Sequence, residues 1–188
     1  MAINNKRVAI YIDGSNFYYR LRQLGFSNLT RFNYRGFADW LLREREAISY
    51  RYYIGVVRVK ADESSIKAET LRKEQQRLFA HLTSPAQDFV IKQGYLMEND
   101  GVYHEKGVDV KLSVDLLVGA YENLYDVAII ISSDTDLIPA IRKVKHLNKE
   151  VEYIGFANRP SLALQRYATI SRLLIKEELE PFVFKALF

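Results

Sequence analysis

Residues 7–17 read RVAIYIDGSNF, and this stretch carries the clearest indication of the fold. The unbroken apolar run from Val8 to Ile12 has the length of a short strand that is buried on both faces. Asp13 ends the run, and Gly14 permits a tight turn into a segment with helical spacing. A buried strand that is followed at once by a helix predicts a parallel sheet with crossover helices.

Strand and helix patterns continue to alternate along the chain. Further strand-like runs lie at residues 49–59, 89–91, 127–131 and 151–156. The dipeptide Asp100-Gly101, between two short strand-like runs, indicates a hairpin beside the main sheet. We therefore predict a doubly wound α/β fold. Because the chain has 188 residues and no low-complexity linker, a single domain is expected to span residues 1–188.

The composition excludes several classes of protein. The chain has no cysteine, which rules out disulfides, thiolate catalysis and cysteine-based metal centres. Any metal must therefore be held by oxygen or imidazole ligands. The polar start, from Asn4 to Lys6, leaves no room for the apolar part of a signal peptide, so a cytoplasmic location is expected. No stretch approaches the roughly 18 apolar residues of a membrane span, and no membrane association is expected.

Positive charge is concentrated early in the chain. The net charge is +4, yet residues 1–60 alone hold eleven Lys or Arg and four Asp or Glu, which leaves a net −3 for the remainder. Most of these early cations are arginines, whose planar guanidinium matches phosphate oxygens better than the lysine ammonium does. The pattern is compatible with a nucleic-acid surface and equally with an ordinary solvated basic face.

Acidic residues follow two of the predicted strands. Asp13 ends the first strand, and Asp134 and Asp136 follow the apolar run at residues 127–131. Parallel strands end at the same edge of a sheet, so these carboxylates are expected to lie together. Asp109, in the first turn of a predicted helix, falls on its core-facing stripe and should look over the same edge. Such acids repel one another unless a cation neutralises them, and Mg²⁺ prefers oxygen ligands of this kind.

A purely structural role for these acids is the alternative. Each of them could cap a helix or complement its dipole without meeting the others. Asp115 is interpreted in this ordinary way, because it stands four residues after Lys111 and an exposed ion pair explains it most simply.

Three blocks of the chain resemble one known family. They are Val8–Phe17 (VAIYIDGSNF), Lys106–Leu117 (KGVDVKLSVDLL) and Ala128–Pro139 (AIIISSDTDLIP). In this order they are similar to the NYN domains, a branch of the PIN-like nucleases that includes the LabA-like bacterial proteins. The resemblance implies a PIN-like, Rossmann-like three-layer sandwich with a central, mostly parallel sheet of about five strands. It also implies a hydrolase that acts on phosphodiester bonds.

The resemblance assigns roles to individual residues. It implies that Mg²⁺ or Mn²⁺ is held by four carboxylates, those of Asp13, Asp109, Asp134 and Asp136. Asn16 looks like the site asparagine of the family, placed to orient a water, a phosphate oxygen or the Asp13 turn. All five residues are counted as catalytic.

Substrate contacts are expected around this edge. Nucleic acid is the expected partner, with RNA favoured over DNA through family likeness alone. Arg58 and Lys60, at the end of a neighbouring strand, are expected to meet substrate phosphate. Ser133 stands where the family often has glycine, next to the site acid, and is expected to border the substrate. Four aromatic residues beside arginines are candidates to stack on unpaired bases, and at least half of them should be core: Phe17, Tyr18, Tyr19 and Tyr34.

Two other functions compete with a nuclease. One is a non-catalytic regulatory or nucleic-acid-binding module that keeps the fold and its acids. The other is a small-molecule phosphohydrolase that uses the same cation site. Phosphate-binding glycine motifs of the forms GxxxxGK[ST] and GxGxxG do not occur, which disfavours P-loop and dinucleotide-binding proteins. A homodimer is a candidate assembly for a small α/β protein of this type.

Overall fold

The computed structural model describes residues 6–57, 66–99 and 102–184. These residues form seven strands and seven α-helices. The strands are β1 (Val8–Asp13), β2 (Ala47–Val57), β3 (Val90–Asn99), β4 (Val102–Lys106), β5 (Val127–Ile131), β6 (Glu150–Phe156) and β7 (Ile170–Leu174). The helices are α1 (Gly14–Gln23), α2 (Tyr34–Leu42), α3 (Ile66–Leu82), α4 (Val108–Tyr121), α5 (Ile138–His146), α6 (Leu162–Tyr167) and α7 (Lys176–Leu179). None of the helices in these ranges combines the length and the apolarity that a bilayer crossing needs.

All seven strands belong to one sheet, in the order β4-β3-β2-β1-β5-β6-β7. Neighbouring strands are parallel except β3 and β4, which form an antiparallel hairpin. The chain builds outward from β1 through β2 and β3, returns to the other side of β1, and builds outward again through β5, β6 and β7. The order of strands therefore reverses between β1 and β5, as in a doubly wound fold.

The prediction of a mostly parallel sheet flanked by helices is confirmed, but the number of strands is wrong. The described residues form seven strands where about five were expected. One of the additional strands is β7, whose first two residues, Ile170 and Ser171, are exposed. It lies at the edge of the sheet and lacks the continuous apolar run by which buried strands are recognised.

Helices cover both faces of the sheet, and β1 shows how the two cores are separated. Val8, Ile10 and Ile12 pack on one side in a cluster with residues of α1, α2 and α3. Ala9 and Tyr11 pack on the other side with residues of α4, α5 and α6. Because successive side chains of a strand point to opposite faces, one apolar run supplies both cores.

The carboxyl edge of the sheet is uneven in height. Tyr53 is the partner of Asp13, and β2 continues four residues beyond it, to Val57. On the other side, β6 continues two residues beyond the partner of Ile131, to Phe156. The ends of β1 and β5 are therefore recessed between taller neighbours.

Candidate active site

Asp13 is a buried carboxyl group at the recessed edge, with only 4% of the residue exposed. Its Oδ1 accepts a hydrogen bond of 3.1 Å from the backbone N–H of Asn16, so it caps α1. Its Oδ2 accepts one of 2.7 Å from the hydroxyl of Ser132. Burial raises the pKa of Asp13 to about 7, although both hydrogen bonds act in the opposite direction. A proton or another cation therefore stabilises this site near neutral pH.

The loop after β5 brings two further acids to the same place. The Ser132 hydroxyl, which donates to Asp13, also accepts a hydrogen bond of 3.0 Å from the backbone N–H of Asp134. Asp134 in turn accepts, through Oδ1, a hydrogen bond of 2.8 Å from the backbone N–H of Asp136. Asp13 and Asp134 thus act as caps, as the structural alternative required, and their strand ends are joined through one hydroxyl group.

Asp109 lies on α4, which packs on the same face of the sheet as α5 and the turn that carries Asp136. It is half-buried in the first turn of α4. Burial raises the pKa of Asp109, and the charges of Asp134 and Asp136 raise it further. Asp109 also raises the pKa of Asp13. All four carboxylates singled out in the sequence are therefore close enough to interact electrostatically.

Glu105 is a fifth acid at this site, and the sequence analysis missed it. Its carboxylate accepts hydrogen bonds from the backbone N–H of Gly55 and from the side chain of Ser15. Burial raises the pKa of Glu105, against the effect of both bonds, and the charge of Asp109 adds to the increase. Strand β4 pairs with the part of β3 that extends, together with β2, beyond the end of β1. This position brings Glu105 to the carboxyl edge of the sheet. Its position four residues before Asp109 was the available sequence signal.

Asn16 and Ser133 occupy different positions at the edge. The side-chain Oδ1 of Asn16 is buried and has no hydrogen-bond partner in the described parts of the chain. An unpaired buried acceptor is costly, and a ligand or a water would satisfy it. The hydroxyl of Ser133 accepts a hydrogen bond of 3.3 Å from Nε of Arg20. Ser133 is therefore held by the protein itself.

The acids have the donor type of a magnesium or manganese site but are not drawn together around one point. Across residues 6–57, 66–99 and 102–184, no three acidic or histidine side chains are grouped closely enough to hold one ion. The donors are nevertheless all oxygens, which hard divalent cations prefer. The raised pKa of Asp13 and the unpaired oxygen of Asn16 are features that a cation and its waters would relieve. The residues therefore fit the cation in donor chemistry, although their side chains are not grouped around one point.

The basic residues considered for substrate binding fall into two groups. Arg58 and Lys60 lie outside the described residues. Four of the early arginines form ion pairs within the protein, namely Arg7 with Asp126, Arg35 with Asp39, Arg45 with Glu152, and Arg51 with Asp115. Much of the early positive charge is thus used to stabilise the fold.

The aromatic candidates divide into two pairs. Phe17 and Tyr34 are buried in the core, as was expected of half of them. Tyr18 and Tyr19 are exposed on α1, with 41% and 67% of their surfaces accessible. Only this second pair is available to stack on a base.

Asp115 was expected to form an exposed ion pair with Lys111, and this expectation is wrong. The carboxylate of Asp115 faces the sheet, where it accepts a hydrogen bond of 2.9 Å from the hydroxyl of Tyr53. Its Oδ2 also lies 3.3 Å from Nζ of Lys92 and 3.6 Å from Nη1 of Arg51. Lys111 donates instead to the backbone carbonyl of Gln93. Side chains from β2 and β3 bind Asp115 in place of Lys111, because an ion pair in a less exposed position is stronger than one on the open helix surface.

Comparisons with known proteins agree with the resemblance seen in the sequence. A solved structure of a protein of unknown function from Vibrio parahaemolyticus RIMD 2210633 is similar, with a TM-score of 0.66 and 20% sequence identity over 98% of this chain and 99% of that chain. At this identity the likeness concerns the fold alone. A search of curated proteins found no match. The family model described as NYN domain matches residues 7–173, which is most of the chain. The chain therefore belongs to the NYN domain family of PIN-like, nuclease-type domains.

Proposed function

We propose that this NYN domain is a metal-dependent nuclease that hydrolyses phosphodiester bonds, with RNA as its substrate. The observation that supports the proposal is the approach of five carboxylates at the carboxyl edge of the sheet, where strand order reverses. Ligands bind at this position in doubly wound folds. The preference for RNA over DNA follows from family likeness.

The acids are proposed to hold Mg²⁺ or Mn²⁺. Asp13, Asp109 and Asp134 are its ligands, and Asp136 ligates it or positions a water molecule. The chemistry that such a cation supplies is activation of water and neutralisation of charge on the phosphate. With its pKa raised to about 7, Asp13 would hold either a proton or the cation near neutral pH.

The remaining residues of the edge are proposed to position the reactants. The unpaired Oδ1 of Asn16 accepts a hydrogen bond from a water and so orients it. Glu105 keeps the overhang of β2 in place through its bond to Gly55 and adds negative charge beside Asp13. Ser133 borders the phosphate, and Arg58 and Lys60 contact it.

A cleavage assay tests the proposal. Labelled single-stranded RNA and DNA of one sequence are incubated with wild type, Asp13→Asn and Asp134→Asn, in Mg²⁺, in Mn²⁺ and in EDTA. We expect cleavage by wild type only with a cation, and a loss of about 100-fold or more in both variants. Glu74→Gln, a matched loss of charge at an exposed position on α3, should keep wild-type activity.

Cleavage that persists in EDTA, or in both aspartate variants, would overturn the assignment of these acids. A wild-type protein that cleaves nothing with any cation but still binds polynucleotide would be a non-catalytic nucleic-acid-binding module.

A further inference from the structure

Arg20 extends from α1 to the acidic edge. The residue is half-buried, and its Nε donates the hydrogen bond of 3.3 Å to the hydroxyl of Ser133. Ser133 directly follows Ser132, whose hydroxyl binds Asp13. A guanidinium group therefore lies within one residue of the hydrogen bond that joins β1 to β5.

Arg20 has no acidic partner in the described parts of the chain, whereas several of the other early arginines have one. Among the described residues, no carboxylate oxygen lies within 4.0 Å of its guanidinium, in contrast to those of Arg35, Arg45 and Arg51. Its Nη1 donates instead to the neutral side chain of Gln23, at 3.1 Å. Two neutral side chains thus hold the guanidinium of Arg20 in position, and neither of them neutralises its charge.

A second guanidinium approaches the same point. Arg159 is exposed in the turn after β6, where its backbone N–H donates to the carbonyl of Phe156 at 3.1 Å. Burial lowers the pKa of Arg20, and the positive charge of Arg159 lowers it further. Arg159 likewise has no carboxylate within ion-pair distance among the residues that the structure describes. Two neighbouring cations without an acid repel each other, and an anion between them removes the repulsion.

Charge is therefore divided along the edge. Acids occupy the ends of β1 and β5, and the arginine pair lies toward the ends of β5 and β6. Resting on the proposed nuclease function, we propose that Arg20 and Arg159 bind the phosphate that neighbours the scissile phosphate of a single-stranded polynucleotide. Paired N–H groups of a guanidinium match two oxygens of one phosphate, and Arg20 is already oriented by Ser133.

Binding in EDTA tests the pair separately from catalysis. The affinity of fluorescent single-stranded RNA is measured between about 50 and 200 mM salt for wild type, Arg20→Gln, Arg159→Gln and the double variant. We expect each single variant to raise the Kd about tenfold at the lower salt and to reduce the salt slope by about 0.7. The double variant should lose much less than the product of the two, because both arginines hold one phosphate. Arg20→Lys, which keeps the charge, should retain most of the slope.

Arg22→Gln is the matched control, since Arg22 is an exposed arginine on the same helix with no acidic partner among the described residues. Thermal unfolding of each variant establishes that it is folded. Arg20→Gln and Arg159→Gln variants that bind no more weakly than Arg22→Gln overturn the proposal, as does wild type that fails to bind RNA. A nucleoside monophosphate provides a second probe: if its affinity alone depends on the pair, the site takes a free phosphate ester and the polynucleotide assignment is wrong.

The two proposals fail in distinguishable ways. A protein that cleaves RNA but whose Arg20→Gln variant binds normally keeps its nuclease function and loses the phosphate site. A protein that never cleaves, yet loses affinity and salt slope through Arg20→Gln, keeps the phosphate site and loses the nuclease function.

Discussion

Replacement of Asp13 by asparagine should make the cation-free protein more stable at alkaline pH. The folded protein keeps a proton on Asp13 up to about pH 7, whereas the unfolded chain releases it near the ordinary value of 3.8. Between these values the folded state binds more protons than the unfolded state. The free energy of unfolding of wild type therefore falls as pH rises through this window and is level above it. An asparagine does not titrate, so the variant escapes this loss.

The size of the effect follows from the two pKa values. They differ by about three pH units, and 1.36 kcal/mol for each unit gives about 4 kcal/mol at pH 8. The amide cannot accept both of the hydrogen bonds that the carboxylate accepts, which costs about 1 kcal/mol. A net gain of about 3 kcal/mol remains, and it corresponds to a rise of about 6 to 12 °C in the midpoint of thermal unfolding for a domain of this size.

Thermal unfolding in EDTA at a series of pH values measures this difference directly. Asp13→Asn should match wild type or fall slightly below it near pH 4 and exceed it at pH 8, while Glu74→Gln should follow wild type throughout. A difference between Asp13→Asn and wild type that is the same at both pH values would refute the reasoning, because Asp13 would then not be protonated in the folded protein. Added Mg²⁺ should stabilise wild type at pH 8 more than the variant, since binding to the folded state adds to stability.

Two further predictions concern the residues around Asp13. Glu105→Gln removes a charge that raises the pKa of Asp13. The loss of stability with rising pH should therefore end at a lower pH in this variant than in wild type, as measured by the same unfolding series. Gly94→Ala would place a methyl group 2.5 Å from Cγ2 of Val108 and 2.6 Å from the carbonyl oxygen of Lys106. We expect it to cost about 1 to 3 kcal/mol in chemical denaturation, and to reduce cleavage by displacing Asp109, whereas Gln93→Ala on the same strand should do neither. An unchanged denaturation midpoint in Gly94→Ala would show that α4 adapts freely to the extra methyl group.

The central part of the fold could be predicted because its signals are local. The runs that became β1 and β5 are apolar throughout, since both of their faces are covered by helices. The acids Asp13 and Asp134 follow these runs directly, so their meeting at one edge needed only the assumption of parallel strands. By contrast, β7 lies at the border of the sheet and carries exposed residues, which removes the pattern that identifies a strand.

Contacts between distant parts of the chain explain the remaining differences. Glu105 reaches the edge only because β2 and β3 extend beyond β1 and carry the hairpin with them. No local spacing encodes such an overhang. Asp115 was assigned to its neighbour on the helix, but three side chains from β2 and β3 meet it instead. Helical spacing identifies the possible partners on the same helix, but it cannot show that side chains from other elements bind the residue instead.

The unequal heights of the strands also restrict what can reach the acids. The recessed ends of β1 and β5 lie between β2 and β6, and these two strands are three strand spacings apart, or about 14 Å. The wall formed by β2 rises four residues above Tyr53, which is about 13 Å. An extended single strand enters a trench of this width, whereas a double helix is too broad to descend into it. On the proposed nuclease function, a paired substrate would have to separate before a phosphate reached Asp13, so the unequal strand ends would favour unpaired chains.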